Sequence, residues 1–178
     1  MRFVTLDTET TGMNKGRNGA ICDGYRIIEI ACVKVVDGAL TGRNFHRYVN
    51  PGVATQPGAL KIHGITETFL KDKPGFEDIV KELLTFIGDS TIVIHNASFD
   101  IPFIDQEFNL LQNRCHLLKG RVFHFIDTLS LAREIFPGVS NTLESLCERY
   151  GVNGRNGNKH NALDDAIMLA KVAIVMLS

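Results

Sequence analysis

The sequence predicts an α/β chain built as a mixed β-sheet flanked by helices. Three observations carry this. Strands rich in β-branched residues are joined by a tight turn signal near the N-terminus. Later apolar strands alternate with amphipathic helices, and no repeat or polar linker divides the 178 residues. Residues 2–7 alternate around Phe3, Val4 and Leu6 and form a first, central strand. Residues 26–36, RIIEIACVKVV, are β-branched and nearly all apolar, as in a strand buried over most of its surface. Asp37-Gly38 signals a hairpin, and residues 44–49 supply the returning strand. Residues 50–74 are polar and carry Pro and Gly; loops and short helices over one end of the sheet are expected there. Next, Phe76, Ile79, Val80, Leu83, Leu84 and Ile87 share one helical face. Residues 91–94 read as a short apolar strand, 99–111 as a helix and 122–126 as the last strand. Residues 128–136 and 142–150 are amphipathic helices, the second closed by Gly151. Asn161 caps a final helix that runs to about Leu177.

The whole chain, 1–178, reads as one domain long enough to bury a sizeable core. No stretch approaches the roughly 18 apolar residues of a membrane helix. Acidic Asp7 and Glu9 interrupt the start where a signal peptide would be apolar. Cys22, Cys32, Cys115 and Cys147 are widely spaced, which suggests reduced thiols in a cytoplasmic protein and not a disulfide or zinc framework. With 19 basic and 20 acidic residues, the chain does not hold nucleic acid by bulk charge. If its ligand is a polyanion, something else must neutralise the phosphates, and bound divalent cations would serve.

Four acidic positions fit that need. Asp7 and Glu9 lie two apart at the end of the first strand, so both point to one face of the sheet. Their repulsion costs about 1 kcal/mol or more once partly desolvated, and a cation between them removes it. The plain alternative is a strand-end acid capping the polar turn formed by Thr8, Thr10, Thr11 and Gly12. Asp100 closes IVIHNASFD, after a buried strand and within the first turn of a helix. It is either a helix-start acid placed by the macrodipole or a carboxylate on the same rim as Asp7. On the last helix, 100° steps place Asp164 roughly 150° from the centre of the apolar face, in solvent. Asp165 falls only about 110° away, among Ala162, Leu169, Val172 and Met176, and a carboxylate at that border calls for a partner. His160 lies five positions earlier in the Gly- and Asn-rich loop GVNGRNGNKHN. Most loop histidines are simply surface residues, but this one is placed to swing over the acids, and imidazole exchanges protons near neutral pH.

Together these segments resemble the DEDDh exonucleases, most closely the branch that proofreads as the epsilon subunit of bacterial DNA polymerase III. The resemblance is carried by DTETTG at 7–12, IIEIACVKV at 27–35, HGIT at 63–66, IVIHNASFDIPFI at 92–104, DTLSLAREIFPG at 127–138 and HNALDDA at 160–166. It implies an RNase H-like fold with a five-stranded sheet, and 3′→5′ exonuclease activity on single-stranded DNA 3′ ends. It further implies that Asp7, Glu9, Asp100 and Asp165 hold two divalent cations, Mg²⁺ or Mn²⁺. Asp7 would bridge them, Asp100 would act through water, and His160 would be the general base. By the same resemblance His63, with Ile62 and Ile65 beside it, packs against the terminal nucleotide. Phe99 and the backbone of Thr10, Thr11 and Gly12 help seat it, alongside Thr8 and the catalytic residues. For Ile62 and Ile65 the plain reading is core packing.

Two departures stand out. Gly58 occupies a position where the proofreading subunit typically carries a glutamate that contacts the terminal ribose. The chain also ends at Ser178, where the proofreading subunit continues through a linker to a segment that docks on the polymerase. The alpha and theta subunits of DNA polymerase III are the implied partners, and that tail would have to be supplied for stable attachment. Two other readings remain open at this stage. An RNA-trimming or small-oligonucleotide exoribonuclease would use the same chemistry and differ in its treatment of the 2′-OH. A non-catalytic polymerase accessory would need at least one of the five catalytic groups to be lost, and all five are present.

Overall fold

A computed structural model describes residues 1–16, 19–111, 122–155 and 157–178. Its five-stranded sheet has the order β3-β2-β1-β4-β5. β1 (Arg2–Thr10) is central, with β2 (Ile27–Val36) antiparallel on one side and β4 (Thr91–Ile94) parallel on the other. β3 (Ala39–Tyr48) pairs antiparallel with β2, and β5 (Phe125–Asp127) pairs parallel with β4. Asp37 and Gly38 both adopt positive φ, 52° and 74°, the type I′ geometry that matches strand twist in a two-residue hairpin. Pairing therefore starts at Val36 with Ala39, and β3 begins earlier than its apolar residues suggest.

Alternation along the strands separates two cores. Val4, Leu6, Ile30, Cys32, Ile92 and Ile94 face α3 (Phe76–Ile87) and α4 (Ala97–Leu111). Phe3, Ala31, Val33, Val35 and Val93 face α6 (Leu143–Tyr150) and α7 (Ala162–Met176), with Ala132 of α5 (Thr128–Ile135). The segment 50–74 forms two short helices, α1 (Pro57–His63) and α2 (Glu67–Leu70). Cys22, Cys32 and Cys147 are buried free thiols, and Cys115 lies outside the described residues. No helix among the described residues is long and apolar enough to cross a membrane.

Three further boundaries differ from expectation. β1 runs on through Asp7, Thr8, Glu9 and Thr10 because Glu9 pairs with Glu29 and Thr10 with Ile27, so tertiary pairing overrides a polar composition. The last strand occupies 125–127, not 122–126: Val122 is 77% exposed, while Asp127 pairs with Ile94. Asp127 also caps α5, its carboxylate accepting from the Leu129 amide at 2.9 Å. α4 starts two residues earlier than its apolar periodicity, at Ala97, directly after Asn96 in the left-handed region (φ 70°).

Candidate active site

The site forms where the two layers meet the end of β1. Asp7 and Glu9 point to the α7 side of the sheet. There Thr5 Oγ1 donates to the Ala166 carbonyl at 2.8 Å and fixes α7 against β1. Asp165, the preceding residue, is thereby set beside the strand-end acids and is 5% exposed. Asn161 caps α7 by accepting from the Asp164 amide at 2.8 Å, which sets the helix start and, with it, the direction of Asp165. Asp100 arrives from the other layer, on α4. Its Oδ1 accepts from Thr8 Oγ1 at 2.7 Å, and it is 3% exposed. One ligand atom each from Glu9, His160 and Asp165 lie within 4.8 Å of one another.

This crowding has an electrostatic signature. Burial, and then the charges of Asp100, Asp165, Glu9 and Glu29, raise the Asp7 carboxyl well above the ordinary range. Burial, then Glu29, Asp165 and Asp100, push Glu9 to about 8. Burial pushes Asp100 to about 7 against the opposing hydrogen bond from Thr8. Asp165 is also raised by burial, but Arg155 opposes the shift. Among the described residues Asp7, Glu9 and Asp100 have no ion-pair partner, while Arg155 pairs with Asp165. Hard carboxylate oxygens, desolvated and held together without counter-cations, fit divalent metal ions.

The surrounding cleft, about 660 Å³, is lined by Asp7, Thr8, Glu9, Thr10, Gly12, Ile62, His63, Phe99, Asp100, His160 and Asp165. Ile62 is 50% exposed there, and His63 is buried with Nδ1 accepting from the Ile65 amide at 2.9 Å, so its ring proton sits on Nε2. Gly12, at φ 148°, brings its backbone to the wall; an added Cβ would lie 2.6 Å from Gln56 Oε1. Gly58 also lines the cleft, with open space where a side chain would project. Two expected neighbours of the nucleotide are placed elsewhere. Thr11 is fully buried and does not line the cleft. Its amide donates to the Arg26 carbonyl, its hydroxyl accepts from the Arg26 amide, and its carbonyl accepts from the Gln56 amide. It ties the turn after β1 to the start of β2 and to α1. Ile65 packs with Ile28 and Leu70, as core packing predicts.

Sequence reasoning missed three contributors. Arg155 reaches Asp165, His160 and Glu144 from the loop before α7, and nothing in its local sequence signals that. Glu29, fully buried directly across from Glu9, has His46 Nε2 at 2.7 Å from Oε1; a lone Glu in an otherwise apolar strand was the available clue. Arg26 makes a bidentate pair with buried Glu107, 2.7 Å at both contacts, and so fixes the β2 start that Thr11 grips.

Known proteins match this arrangement. The exonuclease family profile (RNase T) matches residues 4–173. DNA polymerase III subunit epsilon of Buchnera aphidicola (Acyrthosiphon pisum symbiont, strain APS) is 48% identical over 176 residues, covering 98% of this chain and 72% of that protein. The protein of the same name from Escherichia coli K12 is 45% identical over 176 residues, covering 98% and 71%. Among solved structures, Exonuclease X in complex with 5′ overhanging duplex DNA is 30% identical with a TM-score of 0.73, covering 98% of this chain and 90% of that one. The nuclease domain of 3′hExo, a DEDDh family member bound to rAMP, shares the fold at 21% identity and a TM-score of 0.75, covering 99% and 91%. With four carboxylates and His160 gathered at one strand end, and these relatives along nearly its whole length, the chain belongs to the RNase T exonuclease family and is a DEDDh-type 3′→5′ exonuclease.

Proposed function

We propose that the chain, acting as one exonuclease domain, proofreads DNA replication by releasing nucleoside 5′-monophosphates one at a time from single-stranded 3′ ends. The observation that carries this is the convergence of Asp7, Glu9, Asp100 and Asp165 with His160 in one cleft, each acid raised above its ordinary range by burial. The four carboxylates would hold two divalent ions, Mg²⁺ or Mn²⁺. When bound, the ions supply Lewis-acid activation of the attacking water and stabilise charge on the leaving 3′ oxygen. His160, 43% exposed at the cleft rim, takes the water's proton. Thr8 holds Asp100 in place through its hydroxyl. Ile62, His63 and Phe99 offer apolar and aromatic surface for the terminal base, which a duplex end must splay out to reach. The name shared by the relatives at 45–48% identity favours DNA as substrate and other subunits of a DNA polymerase III as partners, of which the family resemblance implies alpha and theta. Such a role places the protein in the cytoplasm.

The test is degradation of 5′-labelled single-stranded DNA and matching RNA with Mg²⁺, Mn²⁺ or chelator, beside Asp7→Ala and His160→Ala. A metal-dependent ladder of shortening DNA, suppressed by both substitutions and faster than on RNA, is expected. Faster loss of RNA would replace the proofreading reading with RNA trimming. An inert wild type would leave a non-catalytic accessory.

A further inference from the structure

The loop before α7 puts a cation into the acidic cleft. Arg155 Nε donates to Asp165 Oδ1 at 2.8 Å and Nη2 donates to Asp165 Oδ2 at 2.9 Å, so both oxygens of one proposed ligand are occupied. The same Nη2 lies 2.9 Å from Glu144 Oε1 on α6 and 3.3 Å from His160 Nδ1. The two hydrogens of Nη2 are taken by the two carboxylates, so His160 Nδ1, 3.3 Å from Nη2 and 3.3 Å from Asp165 Oδ2, sits beside the pair. The Arg155 side chain is 10% exposed, a sheltered position for so polar a group.

Planar bidentate pairing with carboxylate is what arginine geometry favours, and the charge replaces what a metal ion would supply to Asp165. Unlike an ion shared between acids, the guanidinium competes for the oxygens of Asp165 and makes no ion pair with Asp7, Glu9 or Asp100. We propose that Arg155 is a built-in stand-in for the metal: it holds Asp165 beside His160 while the site is metal-free and must release Asp165 when the ion enters. The inference rests on the assignment of Asp165 as a metal ligand. Its release need not disturb the base. The His160 amide donates to the Ile62 carbonyl at 3.2 Å, and Lys159 Nζ donates to the Lys61 carbonyl, so the far end of the loop is pinned to α1 by its own contacts. Glu144, on the cleft wall, keeps a partner for the displaced guanidinium close by.

The proposal predicts an unusual sign. Removing the cationic neighbour of Asp165 strengthens metal binding, because the competitor is gone. Mn²⁺ titration of the metal-free protein by calorimetry or electron paramagnetic resonance would compare wild type with Arg155→Gln, Arg155→Lys and Asp165→Asn. Arg155→Gln is expected to bind Mn²⁺ about tenfold more tightly, on the scale of one charge-assisted hydrogen bond. Arg155→Lys, which keeps the charge without the planar fork, should fall between. In chelator Arg155→Gln should melt lower than wild type and regain the difference in Mn²⁺. Equal or weaker Mn²⁺ binding by a folded Arg155→Gln, with Arg155→Lys no different from wild type, would overturn the proposal. If Asp165→Asn leaves Mn²⁺ binding unchanged, the ligand assignment has failed instead, so the two failures are distinguishable.

Discussion

Replacing Glu9 with Gln should make the metal-free protein more stable while destroying its activity. Glu9 is 9% exposed, faces Glu29 across the β1–β2 pair, and titrates at about 8 where an ordinary glutamate titrates at 4.5. Between those two values the folded protein binds more protons than the unfolded chain, so stability falls as pH rises across this window. At pH 8 the penalty for holding Glu9 in place reaches roughly 4 kcal/mol, from about 1.4 kcal/mol for each tenfold step in proton activity. Gln keeps the volume and removes the charge. Allowing for relaxation of the neighbouring acids, Glu9→Gln should recover about 2–4 kcal/mol, which for a domain of this size raises Tm by about 5–15 °C. The assay is thermal unfolding in EDTA, at pH 8 and again at pH 5. The gap should be wide at pH 8 and nearly closed at pH 5, where wild-type Glu9 is already protonated. Saturating Mg²⁺ at pH 8 should lift the wild type and narrow the gap. If Glu9→Gln melts at or below wild type in EDTA at pH 8, the account of an electrostatically strained, metal-seeking site is wrong.

Other consequences are simpler to state. The rise in Tm produced by Mg²⁺ should grow from pH 5.5 to pH 8.5, because Glu9 near 8 and Asp100 near 7 must lose protons to bind it; a rise that shrinks with pH contradicts this. Glu107→Ala breaks a bidentate pair whose acidic partner is 1% exposed, and should lower stability by about 3 kcal/mol, read as a fall in Tm of roughly 6–12 °C. Gly58→Glu enters open space near the start of α1, so urea unfolding should show stability unchanged or raised by up to about 1 kcal/mol. The same variant should lower KM for single-stranded DNA, if its carboxylate reaches the terminal ribose.

How far the sequence revealed the site depends on whether a residue's role was local. Asp165 was separable from Asp164 because helical geometry alone sets burial: the structure leaves Asp164 on the side of its Asn161 cap and buries Asp165. The hairpin at Asp37-Gly38, the cap at Asn161 and the closure at Gly151 (φ 66°) are likewise short-range and were readable. The extension of β1 through Glu9 was not, because those residues are polar and are held in the strand by β2. The backbone of Thr11 was expected to help seat the terminal nucleotide. Its hydroxyl and both backbone groups are instead spent on Arg26 and Gln56, which lie 15 and 45 positions away by number. Arg155 is hidden for the same reason. Its partners Glu144, His160 and Asp165 come from α6, from the residue before the Asn161 cap and from α7, and no periodicity encodes that.

The position of the site in the sheet explains how a chain with net charge −1 acts on a polyanion. β1 is antiparallel to β2 and parallel to β4, so its end is where two layers of helices approach from opposite faces. α4 delivers Asp100 from one face and α7 delivers Asp165 from the other, while Asp7 and Glu9 lie on the strand between them. On the proposed function no basic patch is needed to gather phosphate, because the acids would gather cations and the cations would meet the phosphate. The arrangement also limits where substrate can react. The carboxylates share their cleft with Ile62, His63 and Phe99, so on the proposed function a phosphodiester would reach them once the base at the strand end has been seated against those side chains. Metal loading and end selection then depend on the same few residues around β1. A substitution that relieves the crowding there, as Glu9→Gln should, is expected to gain stability by removing a charge that the proposed ions would use.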